Sequence, residues 1–209
     1  MNVLEHKFHY FGPYLTEMKV DDEFCDKLLT LGKTLKEPYN HSLVGQIKQE
    51  SLYDLEKDTW ISKELEIYIN TWISGWQHFS SNPDFNPEYR LNSLWINETK
   101  AKEYNPIHHH INGDLSFIIW LEVPEEMINE AETNETAAIN PGNTGFIYGE
   151  EKELYITQRN FVPMKNTIMI FPADLRHFVM HFNSNVTRTS VSGNISFLRI
   201  REDIGHFLK

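Results

Sequence analysis

Three histidines and one arginine set the chemistry this chain could perform. His108 and His110 stand two residues apart in Tyr104-Asn-Pro-Ile-His-His-His110. A third, His177, closes Ile168-Met-Ile-Phe-Pro-Ala-Asp-Leu-Arg-His177 far downstream, and Arg188 follows in Thr187-Arg-Thr-Ser-Val-Ser192. On a strand, residues i and i+2 project from one face, so His108 and His110 make a short-spaced ligand pair. His109 then points the other way and is structural or solvent-facing. A distant third imidazole would complete three ligands on one side of a metal and leave other positions open. Adjacent histidines alone are as readily a loop coincidence, and His177 alone could be a satisfied core histidine. The pairing of the two segments is what favours a metal centre.

Arg188 adds a second function to the set. A buried guanidinium needs an anion, and its planar fork suits a carboxylate. Alternation puts Arg188, Ser190 and Ser192 on one face, so the Ser190 hydroxyl can serve the same anion. A surface Arg paired with one of the many acids is the plainer reading of Arg188 in isolation. In order, the parts are a ligand pair, a third ligand and a carboxylate-binding Arg. That is what a non-haem Fe(II) oxygenase using a 2-oxo acid requires. Asn97 shares a strand face with Trp95, as a pocket wall with an amide donor or as plain core. Tyr104 shares a face with His108, and its hydroxyl could reach a co-substrate carboxylate. His181, four residues after His177, reads as a rim residue or a spare ligand.

These side chains need a β scaffold. From Tyr89 onward, apolar runs separated by turn residues predict strands at 89–99, 102–110, 115–123, 145–148, 153–157, 167–171, 177–182 and 188–200. Asn112-Gly113, Asn140-Pro-Gly142, Pro172 and Asn183-Ser-Asn185 supply the turns. Before them, residues 3–15 read as an opening strand. A helix capped near Asp21 and Asp22 runs to about Leu35, with Phe24, Leu28, Leu29, Leu31 and Leu35 as its apolar stripe. A second helix begins near Ser62, carries Leu65, Ile69, Trp72, Ile73 and Trp76, and ends before Asn82-Pro83. Residues 36–60 read as irregular. The natural architecture is mainly β: a jelly roll, or double-stranded β-helix, with flanking N-terminal helices. One domain over 1–209 is expected, with 1–88 as a helical support region and 89–200 as the jelly-roll core. The acidic stretch 125–143 shows no period and is expected as a mobile lid at the open mouth, or as a surface insertion.

Composition narrows the partners. The 209 residues carry 30 Asp and Glu against 19 Lys and Arg, a formal net charge of −11, which disfavours a generic nucleic-acid surface. The acidic balance suits a small molecule, a sugar or a basic peptide. Cys25 is the single cysteine, so no intrachain disulfide forms, and a reducing cytoplasmic setting is the expectation. The first residues lack a signal-peptide pattern, and no apolar stretch has the length of a membrane span. Oligomeric state is not legible.

At the residues quoted, the chain resembles the short 2-oxoglutarate/Fe(II) oxygenases of bacteria and tailed phages, distant relatives of the prolyl hydroxylases. The family pattern His-x-His-Pro-x-Ser-x-Leu-Ser-Gly is partly matched by His108-His-His-Ile-Asn-Gly-Asp-Leu-Ser-Phe117. Phe-Pro-x-x-Leu-x-His is matched by Phe171-Pro-Ala-Asp-Leu-Arg-His177, and Arg-x-Ser-x-Ser-Phe-Asn by Arg188-Thr-Ser-Val-Ser-Gly-Asn194 but for one position. The resemblance covers roughly residues 89–200. It implies a double-stranded β-helix, Fe(II), 2-oxoglutarate and molecular oxygen, but no particular substrate. The departures are Ile111 for Pro, Gly113 for Ser, Phe117 for Gly and Gly193 for Phe; Phe117 is expected to narrow the pocket. Related hydroxylases use His-x-Asp where this chain has His-x-His. A three-His site lacks the anionic ligand, and Asp114 is the nearest carboxylate in sequence that could replace it; Asn112 is neutral and weaker.

The leading expectation is therefore a 2-oxoglutarate-dependent hydroxylase with iron on His108, His110 and His177. Arg188 and Ser190 would grip the distal carboxylate, with Tyr104 and Asn97 as further co-substrate contacts. Two alternatives remain open. One is a metal-stabilised jelly roll acting as a structural or binding module. The other is a cupin-type three-His dioxygenase with no co-substrate.

Overall fold

The computed structural model describes residues 12–136 and 138–198. Two antiparallel sheets face each other. Strand β1 (Thr16–Lys19) opens the described chain, followed by helix α1 (Asp22–Gly32), β2 (Glu50–Leu52), α2 (Trp60–Ser80), β3 (Tyr89–Lys100), β4 (Asn105–His108) and β5 (Leu115–Glu122). Then come α3 (Glu125–Glu132), β6 (Thr144–Ile147), β7 (Gln158–Phe161), β8 (Thr167–Pro172), β9 (Arg176–Val179) and β10 (Thr187–Phe197). The larger sheet runs β1-β8-β5-β10-β3-β2 and the smaller β4-β9-β6-β7. This is the expected jelly roll with flanking helices.

Alternation along the central strands sorts the side chains into two layers. Leu115, Phe117, Ile119 and Leu121 of β5, Ile168 and Ile170 of β8, Leu94 and Ile96 of β3, and Val191 and Ile195 of β10 pack under α1 and α2. Ile118, Trp120, Met169 and Phe171 point the other way, between the sheets, where they meet Phe146 of β6 and Leu175. The inner face of β3 and β10 is polar instead. Asn97 donates to Ser190 at 3.5 Å and to Ser192 at 3.3 Å, and Ser116 donates to Asn194 at 2.7 Å. A jelly roll lined by amides and hydroxyls on one wall is built to hold a polar guest.

Helix α1 forms where its cap predicts. The Asp21 carboxylate accepts from the Phe24 amide at 3.0 Å and stops one orphan donor from going unpaired. Helix α2 begins two residues before Ser62 and buries Ile61, Leu65, Ile69, Trp72 and Ile73 against the larger sheet. Ser81 ends it in the left-handed region at φ 56°, just ahead of Asn82-Pro83.

Several boundaries differ from the sequence expectation. Residues 3–11 of the opening strand lie outside the described residues, 12–15 form no strand, and β1 starts at Thr16. The irregular region supplies β2, an edge strand paired to β3. The strand expected at 153–157 is a turn. Gly149 and Leu154 take φ of 74° and 69°, and Leu154, Tyr155 and Ile156 are exposed. The real strand is Gln158–Phe161, a polar edge with no alternation to read. Strand β4 is shorter than expected because Lys102, at φ 68°, turns the chain, and a register shift falls between Asn105 and His108.

The segment 125–143 is corrected most. Residues 125–132 form helix α3, which buries Met127 and Ala131. Its Glu130 carboxylate accepts from the backbone amides of Asn183 and Ser184 and from the Ser184 hydroxyl. Among the described residues, none from 125 to 143 lines the central cavity.

Candidate metal centre

The smaller sheet brings the three histidines together. His108 ends β4 and lies opposite His177 of β9 as its Cα partner. His110 falls just beyond β4, and its amide donates to the Ala173 carbonyl at 2.8 Å, which ties it to the turn between β8 and β9. Burial alternates through the triple as expected, with His109 exposed and its two neighbours partly buried. The imidazole nitrogens of His108, His110 and His177 all lie within 4.8 Å of one another. The ring centroids of His108 and His177 are 4.2 Å apart, and His110 stacks on His177 at 5.1 Å. Phe171 packs edge-on against His177 at 4.9 Å, and Trp95 lies 6.0 Å from His110.

Hydrogen bonds select the ligand atoms. His108 Nδ1 donates to the Pro106 carbonyl and His177 Nδ1 to the Leu175 carbonyl, each at 2.8 Å. Both protons are thereby placed on Nδ1, leaving Nε2 with a free lone pair. His110 Nε2 and His177 Nε2 are 3.3 Å apart. Two nitrogens on one metal, each at about 2.1 Å, are separated by roughly 3 Å. The spacing therefore fits a shared ion. Burial pushes His177 down to about 3 and His110 down to about 4, with the neighbouring imidazoles adding to the effect, and it also lowers His108. All three are neutral at physiological pH, the form a metal needs.

No carboxylate joins this cluster among the described residues. Asp114 does not swing in: its carboxylate accepts from the Phe197 amide at 2.7 Å. His181 is exposed and outside the cluster.

A cavity of about 370 Å³ opens beside the histidines, lined among others by Tyr39, Glu50, Trp95, Asn97, Thr144 and Ser192. Arg188 and Ser190 are 1% exposed and lie behind this lining, on the same inner face of β10 as Ser192. The Arg188 guanidinium donates to the Gly142 carbonyl at 3.0 Å and to Thr99 Oγ1 at 3.4 Å, its Nε has no partner, and no carboxylate among the described residues pairs with it. Burial without an anion lowers its pKa to about 10. Two further donors between the sheets, Trp120 Nε1 and Thr144 Oγ1, are also buried without partners. Unpaired buried donors are costly, so this interior suits an anion absent from the protein itself.

Tyr104 stands apart: it is 41% exposed, precedes β4 and does not line the cavity. The register shift in β4 breaks the alternation that would have put it beside His108. Phe117 does touch the cavity, but its ring covers Gly193, its Cα partner on β10, where a Cβ would come within 2.5 Å of it. The two departures from the family pattern are thus one: the large side chain has moved across the strand pair. Sequence reasoning missed Glu50 and Tyr39, which sit in the segment read as irregular. The only available signal was a carboxylate two residues before the apolar Leu52.

The comparisons agree with this geometry. Residues 93–194 match a family described as "Putative 2OG-Fe(II) oxygenase". No curated protein matches significantly. Solved structures do. An oxidoreductase of the 2OG-Fe(II) oxygenase family from Burkholderia pseudomallei is 16% identical, with TM-score 0.55, over 87% of this chain and 84% of its own. The viral collagen prolyl hydroxylase of Paramecium Bursaria Chlorella virus-1, solved with 2OG, is 13% identical, with TM-score 0.56, over 90% and 98%. HygX from Streptomyces hygroscopicus, solved with nickel, 2-oxoglutarate and hygromycin B, is 6% identical, with TM-score 0.55, over 88% and 83%. At such identities these likenesses speak for the fold, and residues 93–194, just under half of the chain, are similar to the 2OG-Fe(II) oxygenase family.

Proposed function

We propose that the protein is a non-haem Fe(II), 2-oxoglutarate-dependent oxygenase acting on an organic substrate held in the cavity beside His108, His110 and His177. The observation that carries this reading is the pairing of three convergent neutral imidazoles with a fully buried arginine that lacks an anion. Iron bound there would supply oxygen activation driven by loss of carbon dioxide from the 2-oxo acid. The protein's own tasks are binding and exclusion of water. His108 and His177 present Nε2 because backbone carbonyls hold their Nδ1 protons. Arg188 and Ser190 would take the distal carboxylate of 2-oxoglutarate, with Thr144 and Trp120 as further donors. The Asn97 amide donates to the Ser190 and Ser192 hydroxyl oxygens, which would leave their protons available to that guest. Phe146, Phe171 and Trp95 keep the surroundings of the histidines apolar.

The substrate class is open between a polypeptide and a small molecule, since a collagen prolyl hydroxylase and a protein solved with hygromycin B share the fold. The buried Arg188, without an anionic partner among the described residues, favours a co-substrate site over a purely structural metal, because a structural zinc would fill its coordination with protein and ask nothing of an arginine.

The test is anaerobic binding of 2-oxoglutarate to the Fe(II)-loaded protein. Wild type is expected to bind, His177→Ala to lose the metal, and Arg188→Ala to weaken 2-oxoglutarate at least tenfold while keeping iron. Unchanged affinity in Arg188→Ala overturns the assignment of the distal site. No binding by the metal-loaded wild type overturns the co-substrate. Tightly held zinc with no open position would favour the structural module.

A further inference from the structure

Glu50 is a carboxylate without a partner in the wall of the cavity. It sits on β2, opposite Asn97 of β3, and is 2% exposed. Its Oε2 is buried and accepts no hydrogen bond. The contrast with Glu103 is informative, since that carboxylate accepts from the backbone amides of Lys48 and Lys100 and is thereby satisfied. No Lys, Arg or His among the described residues pairs with Glu50; Lys100, on the adjacent strand, turns its ammonium to Gln49. Such an arrangement is costly unless something else supplies the donor.

The surroundings of Glu50 specify that donor. Tyr39 and Trp95 line the same cavity with ring centroids 5.8 Å apart, and the Tyr39 amide donates to the Glu50 carbonyl at 2.8 Å. Trp95 in turn neighbours His110, so the wall runs from the metal ligands to the carboxylate. The loop that carries Gly45 closes against it. A Cβ at 45 would collide with Asn105 Oδ1 and come within 3.3 Å of Glu50 Oε1. A carboxylate that lines one cavity together with two electron-rich rings suits an organic cation, through a charge-assisted hydrogen bond and cation–π attraction.

We propose that Glu50, with Tyr39 and Trp95, is the substrate-recognition site of this protein, and that the substrate carries an ammonium or guanidinium group. The proposal deepens the oxygenase reading and rests on it for the word substrate. Burial and the nearby Glu103 charge push the Glu50 carboxyl up to about 7. Near neutral pH the Glu50 carboxyl is therefore divided between its two protonation states, and a bound cation would favour the ionised one. The net charge of −11 adds a long-range attraction for the same class of molecule.

The cation could belong to a free amine or to a basic side chain of a peptide. The probes are therefore butylguanidine against its neutral isostere butylurea, and Nα-acetyl-arginine N-methylamide against its citrulline counterpart. Binding to the full-length protein is read by saturation-transfer NMR and tryptophan fluorescence, with and without Mn(II) and 2-oxoglutarate. The guanidinium member of at least one pair is expected to bind tenfold or more tightly than its urea partner. The pair that shows the larger ratio identifies the source. Glu50→Gln should bring that ratio to near one while 2-oxoglutarate binding stays intact. Equal affinity for guanidinium and urea in wild type overturns the proposal, and needs no variant to do so. A ratio preserved in folded Glu50→Gln overturns it as well. Because no turnover is measured, a cation preference without 2-oxoglutarate binding would refute the oxygenase reading and leave the cation site standing.

Discussion

The imidazoles at the centre of the molecule are held in the form a metal requires, and that has a measurable consequence without metal. His110 and His177 have pKa values far below those of an unfolded chain, lowered chiefly by burial. Below about pH 6.5 the unfolded chain binds protons that the native site refuses, so the metal-free fold loses stability as pH falls toward 4. Glu50 acts in the opposite sense. Its native carboxyl keeps a proton up to about 7, so its contribution is full below the ordinary value of 4.5 and is lost as pH rises to 7. At about 1.4 kcal/mol per pKa unit that loss is on the order of 3 kcal/mol. Urea midpoints of the metal-free protein should therefore rise from pH 4.5 to 6.5. Glu50→Gln should steepen that rise and exceed wild type above pH 7. A Glu50→Gln profile parallel to wild type would mean that Glu50 ionises normally.

At the scale of elements, the β5–β10 pair shows how one packing decision fixes two residues. Phe117 lies over Gly193, and a methyl added at 193 would meet both its ring and the Ser93 carbonyl, at 2.9 Å. Gly193→Ala should cost about 1–3 kcal/mol, the range for overpacking. Phe117→Leu should relieve part of that cost, so the double variant is expected to be more stable than additivity allows. Denaturant unfolding of the four proteins measures the coupling, and a sum of the single effects would contradict the contact. Helix α3 offers a second case. Glu130 caps the Asn183–Ser184 turn that leads into β10 and hence to Arg188. Glu130→Ala removes several charge-assisted bonds from partly buried groups, and a loss of about 1–2 kcal/mol is expected. Weaker 2-oxoglutarate binding should accompany it if Arg188 and Ser190, both on β10, hold the co-substrate as proposed. The helix escaped sequence reading because its buried face is only Met127 and Ala131, too narrow a stripe to announce a period.

Across the whole molecule, the two sheets divide labour. The smaller supplies His108 and His177 from paired strands, while the larger supplies the polar wall of β3 and β10 and carries the helices on its outer face. Metal at the His108–His110–His177 junction would tie β4 and β9 to the β8–β9 turn. Added Fe(II) or Mn(II) should therefore raise the thermal midpoint, by an amount that grows with the logarithm of concentration over Kd, and His177→Ala should abolish the shift. An equal shift in His177→Ala would place the metal elsewhere. No helix among the described residues is long and apolar enough to cross a membrane.

The amino-acid sequence by itself determined the class of fold and pointed to His108, His110 and His177 as a cluster, because both rest on local patterns. Period-two alternation from Tyr89 onward wrote the strands, and the i, i+2 spacing put His108 and His110 on one side. Phe171-Pro172 before His177 marked a strand, a turn and a new strand. Only the tertiary structure decided the rest. The register shift in β4 removed Tyr104 from the site, and the Phe197 amide claimed Asp114. Edge pairing to β3 turned Glu50, in a stretch with no periodicity, into a buried carboxylate on the cavity wall. Cross-strand register and the desolvation of a lone charge arise from residues far apart in the chain, so no local pattern could carry them.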